Sequence, residues 1–199
     1  MLAGPDSPAV AELIAFRAQL PQERGGLDST TFFIDGGNCS DPYLFALLAR
    51  RYSLDARKAL RRVTACRVFT MYQLASLLSD DIAGMAEAHG SKLIVIGDLL
   101  GTFSEPEADT DEVARLLDAM QAGITKAKKK LTVVATLNSP NPHDQTVIKW
   151  SDTLVCLSQL RGTRVRAELL RHPTKRRASS EFTMGRLLFH PDSPLELVR

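Results

Sequence analysis

A chain of 199 residues, 44% of them hydrophobic, has material for one solid core and little for a second, so a single domain over residues 1–199 is expected. A net charge of +2 excludes the strongly basic and strongly acidic classes, and Cys39, Cys66 and Cys156 fit neither a disulfide framework nor a zinc pattern. No basic segment followed by an apolar run opens the chain, and no stretch approaches about 20 apolar residues, so the expected setting is cytoplasmic, without a membrane partner.

Met1, Leu2 and Ala3 are at most the end of a strand. Gly4-Pro5-Asp6 is a turn, and Ser7-Pro8 reads as an N-cap followed by a proline in the first helical position. The helix runs to about residue 20, with Val10, Leu13, Ile14 and Ala18 on its inner side, and a loop with Gly25-Gly26 follows. TTFFID at 30–35 is a strand of aromatic and β-branched residues, with a turn at Gly36-Gly37-Asn38. Asp41-Pro42 opens a second helix to about 52, and a short third helix spans 55–62. Residues 63–69 form the next strand. Thr70 caps one long helix carrying Leu74, Leu77, Leu78, Ile82 and Met85, closed by Gly90.

Leu93, Ile94, Val95 and Ile96 are an unbroken apolar run followed at once by Gly97-Asp98. A strand apolar on both faces belongs inside a parallel sheet covered above and below. Just past its carboxyl end lies the ligand crevice of such sheets, so Asp98 either holds a metal there or merely begins a loop. An acidic loop over 104–112 leads into a helix over 113–129, with Asp109 and Glu112 spaced as a capping box. Residues 131–137 are another apolar strand and 138–143 a turn-rich loop. Residues 153–157 and 164–170 form a late hairpin around Arg161-Gly162, and 182–189 add a last strand. Strands alternating with helices predict an α/β three-layer domain with a mostly parallel central sheet, helices on both faces and antiparallel C-terminal strands.

FFIDGGN (32–38), LARRYSLDARKALRRVTACRVFTMYQLASLL (48–78), KLIVIGDLLGTF (92–103) and LTVVATLN (131–138) stand in an order and spacing that resembles the core of RecA/RadA-type recombinases, archaeal RadA and its paralogues especially. The resemblance covers roughly residues 4 to 170 and implies a RecA-like core, ATP-driven strand exchange and filament partners. The ATP motifs depart from it. A phosphate loop needs G-x-x-x-x-G-K-[ST], with backbone N–H groups around the phosphates and a lysine for charge. Here Gly4 stands alone: Ala9 replaces the second glycine, Val10 the lysine and Ala11 the hydroxyl residue, while Pro5 and Pro8 lack N–H groups. The family's water-positioning glutamate falls on Gly37 and its magnesium aspartate on Gly97, with Asp98 one residue late. A one-residue slip turns a side chain to the other side, so Asp98 is expected to cap or bond a neighbouring loop. No ATPase activity and no cofactor are expected. Only three residues precede the turn, so the first core strand is expected to be shortened or absent, leaving a smaller sheet or an edge that a partner completes.

Positive charge concentrates in Arg164, Arg166, Arg171, Lys175, Arg176 and Arg177, with residues 171–181 expected as a flexible basic loop. Arg164 and Arg166 share one face of a strand and suit phosphate contacts; the competing reading is a charged edge strand kept soluble. The cluster Arg50, Arg51, Arg57, Lys58, Arg61 and Arg62 reads as a solvated face. Glu105, Glu107, Asp109 and Asp111 oppose DNA in the loop that the family uses for it, and are expected to bind a protein partner instead. His89, His143, His172 and His190 have no ligand spacing. The leading reading is a non-catalytic accessory of DNA recombination or repair. It would contact DNA non-specifically and pair with another RecA-fold protein, a recombinase for example, or with itself. The alternatives are a pure protein-interaction scaffold, and a small-molecule enzyme using Asp35 and Asp98.

Overall fold

The computed structural model describes residues 1–103 and 109–185. Its strands are β1 (Leu2–Ala3), β2 (Thr30–Asp35), β3 (Val63–Arg67), β4 (Ser91–Gly97), β5 (Thr132–Leu137), β6 (Leu154–Gln159), β7 (Arg164–Arg171) and β8 (Ala178–Thr183). Its α-helices are α1 (Ser7–Ala18), α2 (Pro42–Arg51), α3 (Ala56–Arg61), α4 (Met71–Ser79), α5 (Ile82–Ala88), α6 (Thr110–Ala127) and α7 (Asp144–Ile148). The strands form one sheet in the order β3-β2-β4-β5-β1-β6-β7-β8, parallel from β3 to β6 and antiparallel beyond.

The apolar run of β4 accounts for the layering. Ile94 and Ile96 face a core built with α4, α5 and α6, whereas Leu93 and Val95 face one built with α1, α2 and α3. All four are fully buried, and truncating any of them to alanine is worth about 2–5 kcal/mol of stability. The three-layer expectation holds, including the antiparallel end formed by β7 and β8.

Four expectations change. The first strand is short, as expected, but it is no edge: β1 lies between β5 and β6, with Leu2 beside Thr136 and Val155. Because it meets β5 only at Thr136 and Leu137, a cavity of about 400 Å³ lies below it, lined by Leu2, Ile14, Val133, Val134, Trp150 and Val155. The edges are β3 and β8. The long helix over 70–90 is two, because Asp80 leaves the helix with ψ near −173°, and short carboxylates compete with helical backbone bonds; Lys126 of α6 holds Asp81 at 3.3 Å. Residues 171–181 are no loop throughout. Their ends lie in β7 and β8, and the His172 ring nitrogen Nδ1 accepts the N–H groups of Thr174 and Lys175 at 3.1 and 3.0 Å, closing the turn between them. The last strand among the described residues is Ala178–Thr183 rather than one beginning at 182, and residues 186–189 of the expected span lie outside the described residues. Among the described residues no helix is long and apolar enough to cross a membrane.

Candidate functional site

The carboxyl ends of β1, β2, β4 and β5 meet at one crevice, and each departure from the ATP motif has a packing counterpart there. Helix α1 already starts at Ser7, so only Gly4, Pro5 and Asp6 join it to β1. Gly4, Ser7 and Val10 commit their N–H groups to Leu137, Gly4 and Asp6 carbonyls, and Pro5 and Pro8 have none. Gly4 is fixed by a different demand: at φ +119° it passes the Leu157 carbonyl so closely that a Cβ would overlap it. The Ser7 hydroxyl donates to Asn138 Oδ1 at 3.0 Å, and the Thr136 hydroxyl donates to the same oxygen at 2.9 Å. This turn does not fit a triphosphate.

The other two positions are filled in the same way. A Cβ on Gly37 would stand 2.8 Å from Asp98 Cγ, so the Asp98 carboxyl occupies the space a side chain at 37 would need. A Cβ on Gly97 would stand 2.6 Å from Cys39 Sγ. Asp98 sits at φ +52°, receives the Asn138 N–H at 3.4 Å and donates its own N–H to Thr136 Oγ1 at 2.8 Å. It therefore bonds the loop after β5. Burial, helped by the Asp144 and Asp35 charges, raises its pKa above the ordinary carboxylate range.

Asp35, 1% exposed, works as a local anchor. It accepts hydrogen bonds from the Ser40 hydroxyl at 2.7 Å, the Cys39 N–H at 2.8 Å, and Arg67 Nε and Nη2 at 3.2 and 3.0 Å. Burial acts to raise its pKa, but these donors outweigh it and hold the carboxyl below its usual value. Asp35 and Asp98 are thus not a pair of raised carboxyls of the kind an acid–base enzyme would use. Burial, with Asp35 nearby, pushes the Cys39 thiol up to about 12, which keeps it protonated at neutral pH. Among the described residues no group of His, Cys, Asp and Glu side chains is arranged to hold a metal ion.

The basic residues divide. Arg164 and Arg166 both pair with Glu181 of β8 at 2.7 Å. Arg171 Nη1 donates at 3.0 Å to the Ile148 and Ser151 carbonyls, capping the end of α7. Lys175, Arg176 and Arg177 are exposed on the β7–β8 turn. Of the acidic set, Asp109 is the N-cap of α6, accepting the Asp111 N–H at 3.3 Å, and Asp111 lies in its first turn. Glu105 and Glu107 lie outside the described residues.

Sequence reasoning missed Glu12. This α1 residue is 2% exposed; its Oε1 accepts the Asp41 N–H and its Oε2 has no partner. The available signal was helical spacing, since Glu12 lies four residues before fully buried Phe16 and so on the same face.

With the fold and crevice established, comparison with family models gives a match to Rad51 over residues 7–138, from the start of α1 to just past β5. The matched span contains Ser7, Gly37, Cys39, Gly97, Asp98 and Asn138 of the crevice, begins after Gly4 and Pro5, and leaves the basic β6–β8 end outside it. The chain belongs to the Rad51 family.

Proposed function

We propose that this chain serves DNA recombination or repair without hydrolysing ATP, as an accessory that docks on another RecA-fold protein or a second copy and contacts nucleic acid non-specifically. The observation that carries the reading is the filled crevice. Ser7 bonds Asn138, Asp98 fills the space beside Gly37 and Cys39 the space beside Gly97, where phosphate, glutamate and aspartate would stand. Phosphoryl transfer depends on positioning and electrostatics, and all three supports are replaced. Calorimetric titration should therefore show no magnesium-dependent ATP site at micromolar concentration, and Val10→Lys alone should not create one. A tight magnesium-dependent site overturns the reading.

The docking surface follows from the sheet. β3 is an outer edge whose inner ladder uses the Arg62 carbonyl and the Val68 N–H, so by alternation the N–H of Ala65 points outward. Tyr43, Leu47, Phe69 and Tyr72 are exposed on α2, at the end of β3 and on α4, and an edge of this composition invites an added strand.

For nucleic acid, Lys175, Arg176 and Arg177 are the contacts we propose, with Arg164, Arg166 and Arg171 secondary because each already has an acceptor. Neutralising the three turn residues together should make the salt slope of DNA binding shallower by about two to three units, and neutralising Arg164 with Arg166 by less than about one. Anisotropy titration of a single-stranded oligonucleotide checks both. The scaffold reading is favoured by Glu181, which neutralises the strand face, and no DNA or RNA binding at low salt would establish it.

A further inference from the structure

The turn between β7 and β8 hangs on one ring nitrogen. His172 Nδ1 accepts the Lys175 N–H at 3.0 Å and the Thr174 N–H at 3.1 Å, and the Thr174 hydroxyl lies 3.4 Å from the same atom. Only the neutral imidazole with its proton on Nε2 offers that acceptor, whereas an imidazolium donates from both nitrogens. A nitrogen receiving two backbone donors cannot also carry a proton. Protonation of His172 therefore breaks both bonds, and histidine is the side chain whose charge changes between pH 5 and 8.

Lys175, Arg176 and Arg177 are exposed on this turn, with half-buried His172 beside them. Charged groups approach the ring from three elements. The hairpin itself brings Arg171 and the three turn cations, while its Glu168 stands opposite Ser179, four positions back along β7. Leu154 is opposite Arg171, which places Asp152, just ahead of β6, beside the turn, and Asp152 already holds Lys128 Nζ at 2.6 Å. The end of α7, bonded by Arg171 at the Ile148 carbonyl, adds Lys149. An imidazolium here joins a group of cations, and the carboxylate flanking them is engaged. Protonation also leaves four donors close together: the imidazolium Nδ1–H, the N–H groups of Thr174 and Lys175, and the Thr174 hydroxyl. Backbone N–H groups gathered in a turn beside a cation suit an anionic oxygen.

We infer that His172 gates a phosphate site in this turn. As the neutral imidazole it consumes the turn's own donors; as the imidazolium it releases them and joins them on a phosphodiester oxygen of a nucleic-acid strand. The inference rests on the reading that Lys175, Arg176 and Arg177 meet nucleic acid, and it ties that contact to the uptake of one proton.

Two measurements on the full chain test the gate. Without nucleic acid, NMR titration from pH 8 to pH 5 should move the Thr174 and Lys175 amides together with the His172 ring and speed their hydrogen exchange at the acid end. Amides that hold still while the ring titrates overturn the gate, whatever the chain binds. With a single-stranded oligonucleotide at low salt, anisotropy should show binding at least about fivefold tighter at pH 5.5 than at pH 7.5, with a salt slope steeper by about one unit. His172→Asn, whose side-chain oxygen accepts the N–H two residues on without titrating, should lose that acid gain. His172→Lys, a charge without an acceptor, should reach the acid affinity already at pH 7.5. An absent gain, a gain that survives His172→Asn, or a His172→Lys chain that binds no better than wild type at pH 7.5 overturns the gate and leaves the basic turn standing. No binding at either pH overturns the nucleic-acid reading, and the phosphate site with it.

Discussion

Gly37→Glu, which restores the family's glutamate, is expected to destabilise the fold by about 3 kcal/mol or more and to restore no hydrolysis. The new Cβ would stand 2.8 Å from Asp98 Cγ, and the neighbouring contacts to Asp98 Cβ and Oδ2 are closer still. Overpacking of this kind costs about 1–3 kcal/mol, and a second carboxylate against the half-buried Asp98 adds repulsion. Asp98→Gly should relieve it. Asp98 sits at φ +52°, a conformation glycine adopts freely, and its removal vacates the space that a glutamate side chain at position 37 needs. The double variant should therefore lie closer to wild type than Gly37→Glu alone, with a coupling of about 2 kcal/mol in urea denaturation. Additive effects would mean that Asp98 and residue 37 do not compete for one space. Neither variant should hydrolyse ATP, because the turn before α1 is unchanged.

That competition marks where the sequence stopped being informative. The identities at positions 10, 37 and 97 were legible as departures from the recombinase pattern, because a missing lysine or carboxylate is a local fact. What fills the vacated space was not legible: Ser7 meets Asn138 across 131 positions, and Asp98 and Cys39 reach their glycines only through the sheet. Strands β2 and β4 were readable because their apolar runs leave no other address, and β7 was readable from its alternation. Helix α7, with five residues, is too short to show a period. The break between α4 and α5 hid in a hydrophobic pattern that continues through it, and only the paired aspartates Asp80 and Asp81 betray it. The basic strand was read correctly as a strand and incompletely as a surface. Glu181 lies 17 positions from Arg164 and 15 from Arg166, and only the β7–β8 register brings it opposite Arg166.

The same sheet that hides these pairings buries Glu12, and the consequence is measurable in solution. Its carboxyl is raised from 4.5 to about 7, so between those values the folded chain binds more proton at this site than the unfolded chain does. Stability contributed by the group is then fully present below about 4.5 and is lost as pH rises through about 7. Relative to Glu12→Gln, which carries no charge at any pH, wild type should be of similar stability near pH 4 and less stable at pH 8. The difference is bounded by the displacement of the pKa at about 3 kcal/mol. Asp41 and Asp35 face Glu12 on the acidic side and Arg67 lies beyond Asp35, and all three are common to both proteins, so the difference between the two curves isolates Glu12. Urea denaturation at pH 4, 6 and 8 measures it. Curves that stay parallel across this range would mean that Glu12 titrates normally in the folded chain. A wild type that gains on the variant as pH rises would mean that the Glu12 carboxylate is paired in the folded protein.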